Sequence, residues 1–403
     1  MNTGDTAFMI VAAAMVMLMT PGLALFYGGM VRSKNVLSTL LQSFICLGVV
    51  TVIWVIYGYS MAFGTDINGL VGGMDFFMLR GVTAAPLADA TIPHLVFCAF
   101  QLMFAVITPA LITGAFAERI KFSAFLLFTI AWTTFVYLPV CHWVWGGGWI
   151  SHHGGLDFAG GTVIHINSGA AALVAALMIG KRKGWGREAI HPHNLGMTLL
   201  GAGILWFGWF GFNAGSALAA DGIAANAFLT TQVAAACGAL AWILAERLNQ
   251  GKPTCLGGAS GAVAGLVAIT PGCGFVTPAS ALIIGLVAGA LCYFAVLAKA
   301  RLGYDDALDV VGVHGVGGLW GALATGLFAT TAVNSSGADG LFAGNAKLFF
   351  TQGLDAGATI IYSVIASFLI LKAIDLTVGL RVDRDEELEG LDLSQHSEIG
   401  YTI

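Results

Sequence analysis

Two histidines stand in stretches where polar side chains are otherwise scarce. His165 lies in Gly161-Thr-Val-Ile-His-Ile-Asn-Ser-Gly169 and His314 in Val310-Val-Gly-Val-His-Gly-Val-Gly-Gly318, each followed four residues later by glycine. An imidazole in an apolar bundle must find a partner or a cavity. The plain reading is a ring hydrogen-bonded to a neighbouring helix. The sharper one is a matched pair passing protons, since each ring nitrogen can donate or accept near neutral pH. No metal site is expected, because no carboxylate or thiol stands three or four residues from either ring. Asp157 precedes the first histidine as Asp157-Phe-Ala-Gly-Gly-Thr. Its oxygens suit either capping of a helix start or a path for a cation. Asp309, ahead of the second histidine, reads as a cap. Trp143, Trp145 and Trp149 cluster just upstream of Asp157, as an interfacial aromatic belt or as ring faces that attract a small cation. Phe212 and the hydroxyl of Ser216 close another aromatic stretch, residues 205–216. An aromatic there that faced a path would act as an apolar constriction.

What must position these groups is a membrane-embedded helical bundle. The 403 residues are 58% hydrophobic and 10% charged, where a soluble domain carries about 25% charge. This excludes a disordered chain, a disulfide scaffold and a basic nucleic-acid binder. The seven cysteines show no CxxC spacing and read as small apolar packing residues. The first residues, Met-Asn-Thr-Gly-Asp, lack a basic region, so no cleavable signal peptide is expected.

Crossing the hydrocarbon core takes about 20 apolar residues. Eleven stretches qualify, at roughly 7–30, 37–63, 93–117, 123–141, 160–180, 195–217, 224–246, 255–275, 279–299, 310–332 and 351–379. Of 17 basic residues, 14 fall on alternate connections or in the tail, which predicts an outer N-terminus and a cytoplasmic tail. His94, His142, His152 and His153 then lie at outer edges. Gly257-x3-Gly261-x3-Gly265, Gly285-x3-Gly289 and Gly317-x3-Gly321 promise close helix packing. The histidine segments echo each other five spans apart, in spans five and ten. An odd number of spans per half inverts one half relative to the other, a pattern of transporters. The expectation is an all-α integral membrane protein with inverted five-helix repeats (7–180 and 195–332) and an extra eleventh helix (351–379). Residues 1–380 form the membrane domain, and 381–403 form a tail. That tail holds seven carboxylates and two arginines, while the remaining residues carry 15 groups of each sign. It reads as a solvated acidic segment, or, with Leu388, Leu391, Leu393 and Tyr401, as one docked on basic loops.

Taken together, these motifs resemble the ammonium transporter family (Amt/Mep/Rh), most of all a bacterial Amt. The likeness runs through Thr20-Pro-Gly-Leu-Ala-Leu-Phe-Tyr-Gly-Gly29, Asp157 to Asn167, Trp209 to Ser216, Gly312 to Gly318 and the tail from Gly379 to Tyr401. The resemblance implies a homotrimer in the cytoplasmic (inner) membrane, with one pore per subunit. It implies outer ammonium recruitment by Trp145, Ser216 and Phe104, with Asp157 supporting that site. It further implies a gate of Phe104 and Phe212, a relay of His165 and His314, and no cofactor. Arg381, Glu389, Gly390 and Tyr401 would dock a PII-type signalling protein. Net transport of one charge per ammonium fits the residues. The alternatives are an ammonium sensor acting through its tail, an electroneutral ammonia channel and a membrane metalloenzyme.

Overall fold

The computed structural model describes residues 1–402. Among them, ten helices are long and apolar enough to cross a membrane. They are α1 (Thr3–Met30), α2 (Ser33–Phe63), α3 (His94–Phe116), α4 (Phe122–His153), α5 (Gly161–Ile179), α6 (Leu195–Gly215), α7 (Gly222–Gln250), α9 (Pro278–Leu302), α10 (Val311–Phe328) and α11 (Ala346–Thr377). The eighth apolar stretch departs from the sequence expectation. Its helix α8 (Cys255–Ile269) has 15 residues, and Pro271, Gly272 and Gly274 end it in a buried turn. Between α2 and α3 lies a small hairpin of β1 (Asp66–Ile67) and β2 (Val71–Gly72). The tail folds as α12 (Arg384–Glu389) and α13 (Leu391–His396).

The helix ends follow from local chemistry. Side chains of Asn2, Asn194, Asp221, Thr254 and Thr277 accept the first free N–H groups of α1, α6, α7, α8 and α9. Gly180, Gly251 and Gly303 end α5, α7 and α9 with positive φ, as glycine does most cheaply. Asp309 does not cap α10, contrary to the sequence reading. Asp306 accepts the Val311 N–H at 2.7 Å, while Asp309 turns back to pair with Lys299.

The helices pack through small residues. The most extensive pairing is α1 on α6, followed by α7 on α8 and on α9. The glycine motifs place Gly265 and Gly285 against the backbone of Ala234, and Gly261 and Gly289 against that of Gly238. Both α8 and α9 therefore close on one face of α7, as weak lipid-driven association requires. Helix α11 lies along α4, α5 and α10.

At one end of the bundle the basic connections converge on buried acids. Glu118 accepts from Arg32, Asn35 and Arg182. Asp305 takes Arg182 in a two-pronged pair at 2.9 Å on each arm. The fully buried Arg119 donates to the carbonyls of Ala115, Ala117, Gly180 and Asp305. The tail seals this end. Glu387 accepts from Arg381 and the Lys183 N–H at 2.7 Å, and Asp392 accepts the Leu37 and Ser38 N–H groups at the start of α2. Leu391 is buried, but Leu388 and Leu393 are exposed, so charge and hydrogen bonding seat the tail more than its apolar residues do. The cysteine reading fails at Cys255, which is exposed.

Candidate functional site

The site is a line of rings from the hairpin end of the bundle towards its middle. It begins in a cavity of about 280 Å³ walled by Phe63, Gln101, Phe104, Trp145 and Ser216. The Trp145 indole donates to the Asp157 carbonyl at 2.9 Å and meets the Phe104 ring edge-on at 5.7 Å. Ser216, at the end of α6, donates its hydroxyl to the Phe212 carbonyl. The hydroxyl oxygen keeps lone pairs on the cavity side.

Phe104 and Phe212 close the cavity floor, with ring centroids 4.4 Å apart and both rings buried. Below them Phe212 lies nearly parallel to His165, at 6.2 Å. His165 stacks on Trp209 at 5.5 Å and on His314 at 5.2 Å. The two imidazoles meet through Nδ1 atoms 3.2 Å apart, so one nitrogen carries the proton and the other the lone pair. Around the pair lies a lumen of about 10 Å³ whose other walls are apolar, including Leu23, Phe26, Leu111 and Val263. That is at the threshold for one water molecule.

Each histidine sits in a π-helical turn that opens its helix, Gly161–Ile166 in α5 and Val311–Val316 in α10. Such turns widen a helix and re-aim its side chains. The glycines four residues on work reciprocally. Gly169 faces the backbone of His314 and Gly315, and Gly318 faces the Cβ of His165 and the Ile166 nitrogen. Each glycine thus admits the partner helix at the other histidine.

Asp157 starts α5. One oxygen accepts the N–H groups of Gly160 and Gly161 at 2.8 and 2.7 Å, the other those of Thr162 and Val163 at 2.8 and 3.1 Å. The capping reading describes this geometry, and the residue reaches the cavity through its carbonyl on Trp145. Sequence reasoning passed over Gln101, whose Oε1 is buried without a partner among the described residues. The signal was available: a lone amide one turn before Phe104. Trp209 is a second such residue: Thr270 fixes its indole at 2.9 Å under His165.

The tail residues separate into three situations. Arg381 is tied to the body through Glu387 and the carbonyls of Ile179 and Lys181. Gly390 is buried against Lys34 with φ +114°, where a side chain would be strained. Glu389 and Tyr401 instead line a surface cavity of about 270 Å³, and the Tyr401 hydroxyl meets His193 Nε2 at 3.0 Å. No group of three or more His, Cys, Asp or Glu side chains is placed to hold a metal ion among the described residues.

Fold and site describe a multi-pass helical membrane protein with paired imidazoles at its centre. Residues 7–401 match the model of the Ammonium Transporter Family, and the chain belongs to that family. A Bacillus subtilis protein named ammonium transporter is 55% identical over 404 residues, covering 100% of this chain and 99% of its own length. Ammonium transporter Amt1 of Archaeoglobus fulgidus is 47% identical, with 100% of both chains covered. Among solved structures, Candida albicans Mep2 superposes with TM-score 0.91 at 36% identity, over 96% of this chain and 88% of that one. A Sensor Amt Protein superposes equally well at 30% identity, over 98% of each chain. This is a transport family, not an enzyme family.

Proposed function

We propose that the protein moves ammonium across the cytoplasmic membrane by separating it into ammonia and a proton inside one pore per subunit. Bare transfer of an ammonium ion into hydrocarbon would cost tens of kcal/mol. In the cavity, the faces of Trp145 and Phe104 replace hydration through their quadrupoles, and Ser216 and Gln101 offer oxygen acceptors. The Phe104–Phe212 pair acts as the gate. The lumen beyond it has no room for a hydrated alkali ion. Below the gate, ammonia crosses while the proton moves through His165 and His314, and one positive charge is carried per ammonium. The observation that carries this reading is the 3.2 Å Nδ1 pair beneath the two packed phenylalanines.

The same reading counts α8 as an eleventh crossing and takes α1–α5 and α6–α10 as inverted repeats. The α1–α6 pairing, the matched π-helical turns and the reciprocal glycines support it. The gathering of basic residues at one end supports a cytoplasmic tail and an outer hairpin. A homotrimer, and a PII-type protein reading the tail through Arg381, Glu389, Gly390 and Tyr401, belong to the same proposal.

The test is charge movement in proteoliposomes on a solid support after an ammonium jump, with potassium as control. An ammonium-specific current supports the proposal. No current, with ammonia-linked pH changes, assigns an electroneutral channel. The absence of both turns the reading to a sensor, which the likeness to the Sensor Amt Protein and the seated tail favour as the second choice.

A further inference from the structure

His142 takes no part in the steps proposed above. It lies three residues before Trp145, in the last turns of α4, and it is fully buried. Its Nδ1 stands 2.9 Å from the carbonyl of Ala62 and its Nε2 stands 2.8 Å from a carboxylate oxygen of Asp66. A carbonyl and a carboxylate only accept hydrogen bonds. A ring that satisfies both carries a proton on each nitrogen. Both partners suit a cation: Ala62 belongs to the last turn of α2, where free carbonyls form the negative end of the helix dipole, and Asp66 opens the hairpin. The bond from His142, with that from the Gly69 N–H, holds the Asp66 carboxyl below its usual range.

The surroundings make this contact a fastening. The His142 carbonyl accepts the N–H groups of Gly146 and Gly148 at 3.0 and 2.9 Å. A side chain at Gly146 would collide with the Ala62 oxygen and the His142 ring. The hairpin adds two bonds of its own, from the Trp143 indole to Leu70 and from the Trp149 N–H to Gly69. Trp145 sits in the middle of this short segment, its indole bonded to the Asp157 carbonyl and its ring against Phe104.

We propose that His142, as an imidazolium, is the positioning residue that locks the outer hairpin and the end of α2 onto the end of α4, and so fixes Trp145 at the cavity wall. The inference rests on the recruitment role of Trp145. Losing the Asp66 charge or the His142 ring leaves its partner short of a bond, and the fastening loosens.

The experiment compares wild type, Asp66→Asn, Asp66→Glu, His142→Phe and Trp145→Leu. It reads ammonium currents in proteoliposomes against ammonium concentration, with amide hydrogen exchange of residues 64–73. Asp66→Asn is expected to raise hairpin exchange and to raise the half-saturating ammonium ion concentration about fivefold, the worth of one cation–π contact, with the maximal current kept. Asp66→Glu restores both towards wild type. Should His142→Phe fail to fold, the two Asp66 variants still decide the matter. Unchanged exchange and half-saturation in Asp66→Asn overturn the proposal, as does a loss of maximal current with half-saturation unchanged. If Trp145→Leu leaves half-saturation unchanged, the recruitment reading fails and the positioning role falls with it, while the exchange data still report whether the clamp exists.

Discussion

Replacing Gly169 with alanine tests whether the histidines must touch. The new methyl carbon would collide with the Gly315 backbone and stand 3.2 Å from the His314 carbonyl carbon. Carbon atoms rest about 3.5–4.0 Å apart, so α5 and α10 must part by more than about 1 Å at their crossing. The Nδ1 atoms start 3.2 Å apart, and a hydrogen bond is lost by about 3.6 Å. Overpacking of this kind costs about 1–3 kcal/mol, which leaves a folded protein. Losing the bond removes about 1 kcal/mol or more from the proton step, and 1.4 kcal/mol is about tenfold in rate. The expected result is a loss of ammonium current of roughly an order of magnitude, with normal expression and a small drop in melting temperature. Gly203→Ala and Gly357→Ala are the controls, since nothing lies within 4 Å of a methyl at either position. Full current in Gly169→Ala, at wild-type stability, would refute the requirement for contact.

Other perturbations address the remaining parts. Phe212→Ala removes one ring of the proposed gate and joins the outer cavity to the space beside the histidines; it should admit a potassium current that wild type lacks, at about 3–5 kcal/mol in stability. Asp157→Ala strips the acceptor from four N–H groups and should cost at least about 2 kcal/mol in thermal unfolding in detergent, with Asp157→Asn intermediate. Burial pushes the Glu118 carboxyl up, but bonds and charge from Arg32 and Arg182 outweigh it and hold the group below its usual range. Asp305 is depressed in the same way, with Arg182 as its main partner. A depressed carboxylate stabilises the fold fully above its unfolded pKa of about 4. That contribution should fade as pH falls through the folded value, and Arg182→Met should flatten the acid limb of a melting-temperature profile. Truncation after Val382 should abolish binding of a PII-type protein in a pull-down.

Much of this was legible in the chain because a membrane leaves few reasons for a buried polar group. His165 and His314 stood out as imidazoles in apolar runs, and their shared His-x3-Gly spacing pointed to paired helices. What the glycines do was not legible, since spacing cannot reveal that each faces the other helix. Phe104 came only from family likeness; among so many aromatics, periodicity does not single out the one packed on Phe212. His142 was placed at an outer edge, yet it is fully buried, because the hairpin that covers it is a long-range contact with no periodic signal. The eighth stretch read as 255–275 because hydropathy sees composition, whereas its helix stops at Ile269 and its last residues fold into a turn at Pro271.

The central claim is that a proton passes through the histidine pair while ammonia passes beside it. The direct measurement is the charge moved per ammonium in wild type and in the His165→Ala/His314→Ala variant, with potassium currents alongside. The account requires one charge per ammonium in wild type, and in the variant loss of that current or loss of potassium exclusion. Full ammonium current with full potassium exclusion in the variant would contradict it.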